Sequence, residues 1–298
     1  MNNIDTICLS AGGIHSFSFL GALKYLINYN YIDMNKIHTF IGCSGGAILA
    51  YLLAMNYQVN NIIYFITIND LNFIKDMYIN NLFYNYGIDK GEKIMYLITF
   101  FLKKKFNKDD ITFMELYKLT NNNLIINGTK IVNNKTEEVI FNKDNTPNMS
   151  VLSAIRISIS IPIIYTPVYY DNNYYIDGAI SNFFPYNHCN IDTTLGLCMN
   201  TINLINPLHF IFYTLTKPRE KYEYKYVIFI DIINKSDFNI STDYINFLIS
   251  HGEESCKNKI KSNFDNTLFN RTLYYNNIYY LIISVLSIFI IFKFLWDK

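Results

Sequence analysis

Apolar positions change rhythm twice within the first fifty-five residues. Ile4 to Leu9 is a short β-compatible run, after which Phe19, Leu20, Leu23, Leu26 and Ile27 recur at helical spacing. Between them stands the small-residue turn Ser10-Ala11-Gly12-Gly13. The succession returns at once: Lys36 to Ile41 reads as a strand, Gly42 to Gly46 as a turn, and Ala47 to Met55 as a run of strong helix formers. Residues 73–119 follow in a mainly helical pattern, and the apolar run Ile94 to Leu102 ends in Lys103-Lys104-Lys105, read as a solvated helix end with attraction to phosphate headgroups as the alternative. Leu124-Ile125-Ile126 and Glu138 to Phe141 flank the Asn-rich stretch Asn133 to Thr136, which predicts a hairpin. Ser153 to Pro162 stops at its proline, and Tyr174-Tyr175-Ile176-Asp177 reads as a strand that ends before Gly178. Strands alternating with helices predict an α/β fold.

The far end has no such rhythm. From Ile278 through Phe292 there is no charge, and the 19 residues from Ile278 to Trp296 would make about 28 Å of helix, enough for a hydrocarbon core of about 30 Å. Tyr279, Tyr280 and Trp296 stand where interfacial aromatics belong, and Lys293 can reach the far headgroups. A C-terminal transmembrane helix over 278–296 is therefore expected, giving a single-pass membrane protein. Lys257, Lys259, Lys261 and Arg271 outnumber Lys293 and Lys298 beyond it, which points the main domain, residues 1–270, to the cytosol. Met1 to Asp5 has neither the basic start nor the apolar core of a secretory signal.

Composition narrows the function. The chain has 298 residues, 51% of them hydrophobic, which is ample for a core. With 25 basic and 24 acidic residues no strong field recruits nucleic acid, and a nucleic-acid partner is not expected. Cys8, Cys43, Cys189, Cys198 and Cys256 lack metal-ligand spacing and read as reduced thiols, so neither a metal nor a cofactor is implied. Cys43 is expected to point into the packing. Asn-x-Ser/Thr triplets such as Asn127-Gly128-Thr129 are what chance gives in an Asn-rich chain.

Chemistry concentrates at Gly42-Cys43-Ser44-Gly45-Gly46, a Gly-x-Ser-x-Gly between a strand and a helix. On such a sharp turn the serine hydroxyl is presented as a nucleophile, and Gly42 and Gly46 omit the Cβ atoms that would block neighbouring backbone. Gly12 and Gly13, where another strand feeds a helix, expose backbone N–H groups to negative charge. No Gly-Lys-Ser/Thr follows and Gly-x-Gly-x-x-Gly is absent, so a nucleotide cradle is excluded. An oxyanion hole remains, beside the plainer reading of a tight turn with close helix packing. Asp177, at a strand end before Gly178, is either a carboxylate held at the sheet edge or part of a hairpin turn.

In series, these motifs resemble the patatin-like phospholipase family. The resemblance covers about residues 4–190: the turn at Gly12-Gly13, Gly42 to Gly46, Thr112 to Tyr117, Ala154 to Pro167, and Asp177-Gly178-Ala179 followed by Asn182 and Pro185. It implies a three-layer sandwich with a mainly parallel central sheet, a Ser/Asp dyad, and cleavage of acyl esters in membrane phospholipid or other acyl lipids. Carried over, Ser44 is the nucleophile and Asp177 the general base, with the amides of Gly12, Gly13 and Ile14 as oxyanion donors and Gly42, Gly46, Gly178 and Ala179 supporting the motifs. The chain departs from the family's Gly-Gly-Gly-x-Arg/Lys-Gly turn. It has Ala11-Gly12-Gly13-Ile14-His15-Ser16. A positive φ at Ala11 or Ser16 would add strain, and His15 replaces a fixed positive charge. Two rival readings follow: a triad completed by His188 or His251, and a catalytically impaired patatin fold serving as a membrane-anchored lipid-binding or scaffold protein.

Overall fold

The computed structural model describes residues 3–133, 135–200, 224–232 and 240–262. Its strands are β1 (Thr6–Leu9), β2 (Thr39–Gly42), β3 (Gly87–Asp89), β4 (Asn123–Val132), β5 (Lys135–Phe141), β6 (Ile163–Tyr165), β7 (Val168–Tyr170), β8 (Asn173–Asp177), β9 (Thr194–Asn200) and β10 (Tyr226–Asp231). The helices are α1 (Phe17–Asn28), α2 (Gly45–Ala54), α3 (Val59–Ile68), α4 (Asn80–Asn85), α5 (Glu92–Phe106), α6 (Phe113–Thr120), α7 (Val151–Ser158) and α8 (Thr242–Lys261).

An eight-stranded sheet runs β10-β9-β1-β2-β4-β8-β7, with β5 on the other edge of β4. β1 and β9 are buried along their whole length, as strands covered on both faces must be. Alternate residues divide between the faces. Ile7, Leu9, Phe40, Leu124, Ile126, Leu195 and Leu197 join the main core, to which α1, α2, α3, α5, α6, α7 and α8 all contribute. Cys8, Ile41, Ile125 and Cys198 face the other way and meet Phe184 and Tyr186. The described helices other than α4 therefore pack into one core, and in the described residues the opposite face is covered by the segment around Phe184 and Tyr186.

The sheet is mixed, where a mainly parallel one was expected. β10, β9, β1, β2 and the first residues of β4 pair in parallel, whereas β5 and β8 lie antiparallel to β4 and β7 antiparallel to β8. The reason is β4. It is ten residues long, outruns β2, and offers its second half to β5, which returns by a tight turn, and on the other edge to β8, which arrives after α7.

The expected C-terminal membrane helix is corrected. Among the described residues no helix is long and apolar enough to cross a membrane. The longest of them, α8, carries Asp243, Glu253, Glu254, Lys257, Lys259 and Lys261 and buries its apolar stripe in the core. It crosses α1 closely, because a Cβ on Gly21 would run into the Ile249 carbonyl and one on Gly252 into the Ser18 carbonyl. The single-pass anchor and the membrane location drawn from it are withdrawn, and residues 278–296 lie outside the described residues.

Candidate active site

β2 and β8 approach from opposite directions and share one edge of β4. Gly42, the last residue of β2, stands opposite Ile126, and Asp177, the last of β8, stands opposite Gly128. β5 occupies the other edge across both positions. The C-terminal ends of β2 and β8 thus meet across the middle of β4, and the side chains beyond them converge.

Ser44 follows β2 at φ 52, ψ −124, a conformation that costs a non-glycine residue energy and has to be held by its surroundings. Its amide donates to Ser158 Oγ at 2.9 Å, and α2 begins at the next residue, placing a helix N-terminus beside the hydroxyl. A Cβ on Gly42 would press on Gly46 and Ala47, and one on Gly46 would strike the Ser10 carbonyl, so both glycines permit the close approach of α2 to β1 and β2. Cys43 is buried against Ala11 and Ala179, and burial, with Asp177 nearby, holds its thiol protonated.

Ser44 Oγ donates to Asp177 Oδ2 at 2.7 Å. The second carboxylate oxygen, Oδ1, accepts from the Ala179 amide at 2.8 Å. Asp177 has no exposed surface, and burial pushes its pKa up to about 7 against the opposing hydrogen bonds from Ala179 and Ser44. Its backbone is pinned on both sides: the Asp177 amide donates to the Ser160 carbonyl at 2.9 Å, and Thr129 Oγ1 donates to the Asp177 carbonyl at 2.8 Å. Asn127 Nδ2 donates to the carbonyls of Gly178 and Asn182, and a Cβ on Gly178 would strike Asn127.

The glycine turn lies against the start of α2, since a Cβ on Gly45 would collide with the Gly13 carbonyl and with Ser16 Oγ. Gly13 is left-handed at φ 51, while Gly12 is extended at φ −178. Among the described residues none accepts from the amides of Gly12, Gly13 and Ile14. Neither Ala11 nor Ser16 takes a positive φ, so the departures from the family turn fall where side chains fit. His15 Nε2 and the Tyr244 hydroxyl share a hydrogen bond of 3.1 Å, which ties this turn to α8.

The two histidines weighed for a triad, His188 and His251, have their own partners. His188 bonds Glu138 and Asn187, and His251 donates to the Asp231 carbonyl. Ser158, Ser160, Asn127 and Thr129 were missed from sequence. Asn127 and Thr129 did leave a signal: two polar residues at i and i+2, in the stretch Leu124 to Thr129 that is otherwise apolar or glycine, face one side of the sheet together. Among the described residues no group of three or more His, Cys, Asp or Glu side chains is placed to share a metal ion.

The sequence pattern of the patatin-like phospholipases matches residues 7–189, more than half of the chain. The chain belongs to this family. Two viral relatives of this patatin-like protein are similar over 60–66% of its length. One, an uncharacterized protein R571 of Acanthamoeba polyphaga mimivirus, is 33% identical over 201 residues, 66% of this chain and 65% of that one. The other, a probable lipid hydrolase 463L of Invertebrate iridescent virus 6, is 34% identical over 187 residues, 60% of this chain and 61% of that one. The patatin-like chain thus spans under two thirds of the length of either. VipD from Legionella pneumophila shares the fold, with a TM-score of 0.55 at 14% identity over 87% of this chain and 67% of VipD.

Proposed function

We propose that this patatin-like protein hydrolyses carboxylic esters of membrane phospholipid or other acyl lipids through Ser44 and Asp177. The observation that carries the reading is the 2.7 Å hydrogen bond from Ser44 Oγ to a buried carboxyl group whose pKa lies near 7. A base that titrates close to neutrality combines enough ionised form with enough proton affinity to be efficient. Ser44 Oγ attacks the ester carbonyl carbon while Asp177 takes the hydroxyl proton. The oxyanion that forms accepts from the amides of Gly12, Gly13 and Ile14, where one such donor is typically worth about 10²–10³ in rate. The intermediate collapses, the alcohol leaves with the proton from Asp177, and the acyl group stays on Ser44. Water then attacks the acyl-enzyme, Asp177 takes its proton, and the second collapse frees the fatty acid and returns the proton to Ser44.

The test is turnover of a fluorogenic phospholipid and of a soluble short-chain ester by full-length protein. Ser44→Ala is expected to lower the rate at least ~10³-fold with the folded state intact by circular dichroism. Turnover unchanged in Ser44→Ala would discard the nucleophile. Folded wild-type protein that turns over neither substrate above Ser44→Ala would leave the lipid-binding scaffold, which the His15 substitution and its tie to Tyr244 favour.

A further inference from the structure

Residues 73–86 carry an unusual amount of aromatic surface into solvent. Tyr84 is 82% exposed, Tyr86 69% and Tyr78 61%, with Ile79 and Phe83 also exposed beside them on and around the short helix α4. Helix α5 extends the same surface, joined to the segment by a Lys93–Asp76 ion pair of 2.7 Å. Along α5, Lys93, Tyr96, Phe100 and Lys104 follow at spacings of three and four and so share one face, with Tyr96 74% exposed and Lys104 Nζ 5.9 Å from the Phe100 ring. Contiguous apolar surface of this kind marks an interaction site.

Charge selects the partner. Residues 70–108 hold seven lysines against four acidic residues; Lys103 and Lys108 are paired with Asp109 and Glu115 just beyond, which leaves Lys104 as the cation beside Phe100 and Tyr96. Of the acids within the segment, Asp76 is paired with Lys93, and Asp89 is buried, accepting from the amides of Asp76 and Gly91. Protein–protein interfaces are depleted in lysine, whereas tyrosine with a lysine fringe suits the headgroup zone of a bilayer and attracts anionic lipid.

We infer that the α4–α5 aromatic surface is the face by which the protein docks on a bilayer containing anionic phospholipid. The inference rests on the lipid-hydrolase reading for its choice of partner, and the fold ties the surface to the candidate site. Asp177 donates its amide to the Ser160 carbonyl, Ser160 Oγ bonds the Arg156 guanidinium, and that guanidinium donates to the carbonyls of Lys90 and Thr166. Lys90 closes the aromatic segment, whose β3 pairs with β6. The docking face is therefore a short run of hydrogen bonds from the carboxyl group that faces Ser44.

A single tryptophan reports on the surface directly. Full-length protein carrying Tyr84→Trp in a Trp296→Phe background is mixed with phosphatidylcholine vesicles, with and without phosphatidylserine, that contain brominated acyl chains. Quenching and a blue shift of the emission, stronger with phosphatidylserine, are expected. In parallel, Tyr78→Ser/Tyr84→Ser should lower the rate on vesicle substrate about tenfold and leave the rate on a soluble short-chain ester unchanged. Unshifted, unquenched emission at saturating vesicle concentration overturns the docking face. So does a vesicle rate equal to wild type in the double variant. A concentration-dependent dimer in sedimentation that the double variant abolishes, without quenching, also overturns it and assigns the surface to a second copy of the chain. If wild type turns over neither substrate, the hydrolase reading fails while the quenching still decides the docking face.

Discussion

A carboxyl group without exposed surface resists ionisation, and Asp177 holds its proton to about pH 7 because only the Ala179 amide and the Ser44 hydroxyl offset its burial. The folded value is raised above the ordinary 3.8. The stability that goes with the protonated form is therefore complete below about pH 4 and is lost as pH rises through about 7, with a ceiling on the order of 4 kcal/mol. Asp177→Asn cannot ionise and escapes that loss. Its Tm relative to wild type should rise between about pH 4 and about pH 8, and a difference that stays flat would contradict the burial account. In the proposed mechanism catalysis runs the other way, since a base must be ionised: a wild-type hydrolysis rate is expected to climb through an apparent pKa near 7. Ser44 and Asp177 were legible in the chain because each sits in a short motif at a strand end. Ser158 and Ser160 were not: the Ser158 hydroxyl meets the elbow from over a hundred positions away, and Ser160 meets Asp177 through its backbone carbonyl, which any residue could supply.

At the scale of elements, β4 was only half legible. Two apolar runs with asparagines between them predicted a hairpin, and the hairpin is there from Asn123 to Phe141. Nothing in its periodicity said that its second edge serves both β2 and β8, because one strand's pattern does not record its neighbours. Asn127 and Thr129 passed for a chance triplet on the same account. Thr129 Oγ1 donates to the Asp177 carbonyl and shares a hydrogen bond with Ser181 Oγ. Thr129→Val, which keeps the shape and removes the hydroxyl, should cost about 1–3 kcal/mol of stability in denaturant titration, and Thr129→Ser should recover most of it. Equal stability of the two variants would show that the hydroxyl is dispensable. The scarcity of glycine also has an answer here: Asn107 and Asn121 take the left-handed positions that end α5 and α6, as asparagine does where glycine is lacking.

Across the molecule, the family match ends at residue 189, yet the fold does not. β9 and β10 complete the parallel half of the sheet, and α8 packs along α1 and bonds the glycine turn through Tyr244 and His15. The α1–α8 crossing depends on two bare backbones. Gly252→Ala should lower stability by about 2–3 kcal/mol, read as a fall in the denaturant midpoint, because the added methyl has only the Ser18 carbonyl to enter. An unchanged midpoint would mean that the helices can separate freely. The apolar run at 278–296 lies outside the described residues. An apolar run announces that something covers it and is silent on what.

β4 serves as a ruler for Ser44 and Asp177. Its marks are Ile126 and Gly128, which set where β2 and β8 stop. One residue of strand is about 3.3 Å, longer than any slack a hydrogen bond can absorb, and it also turns the next side chain to the opposite face. Lineages of this chain can therefore lengthen or shorten the β4–β5 turn near Asn133 without consequence for the Ser44–Asp177 hydrogen bond. A single insertion or deletion between the two marks would part Ser44 from Asp177 while leaving every residue of both motifs in place.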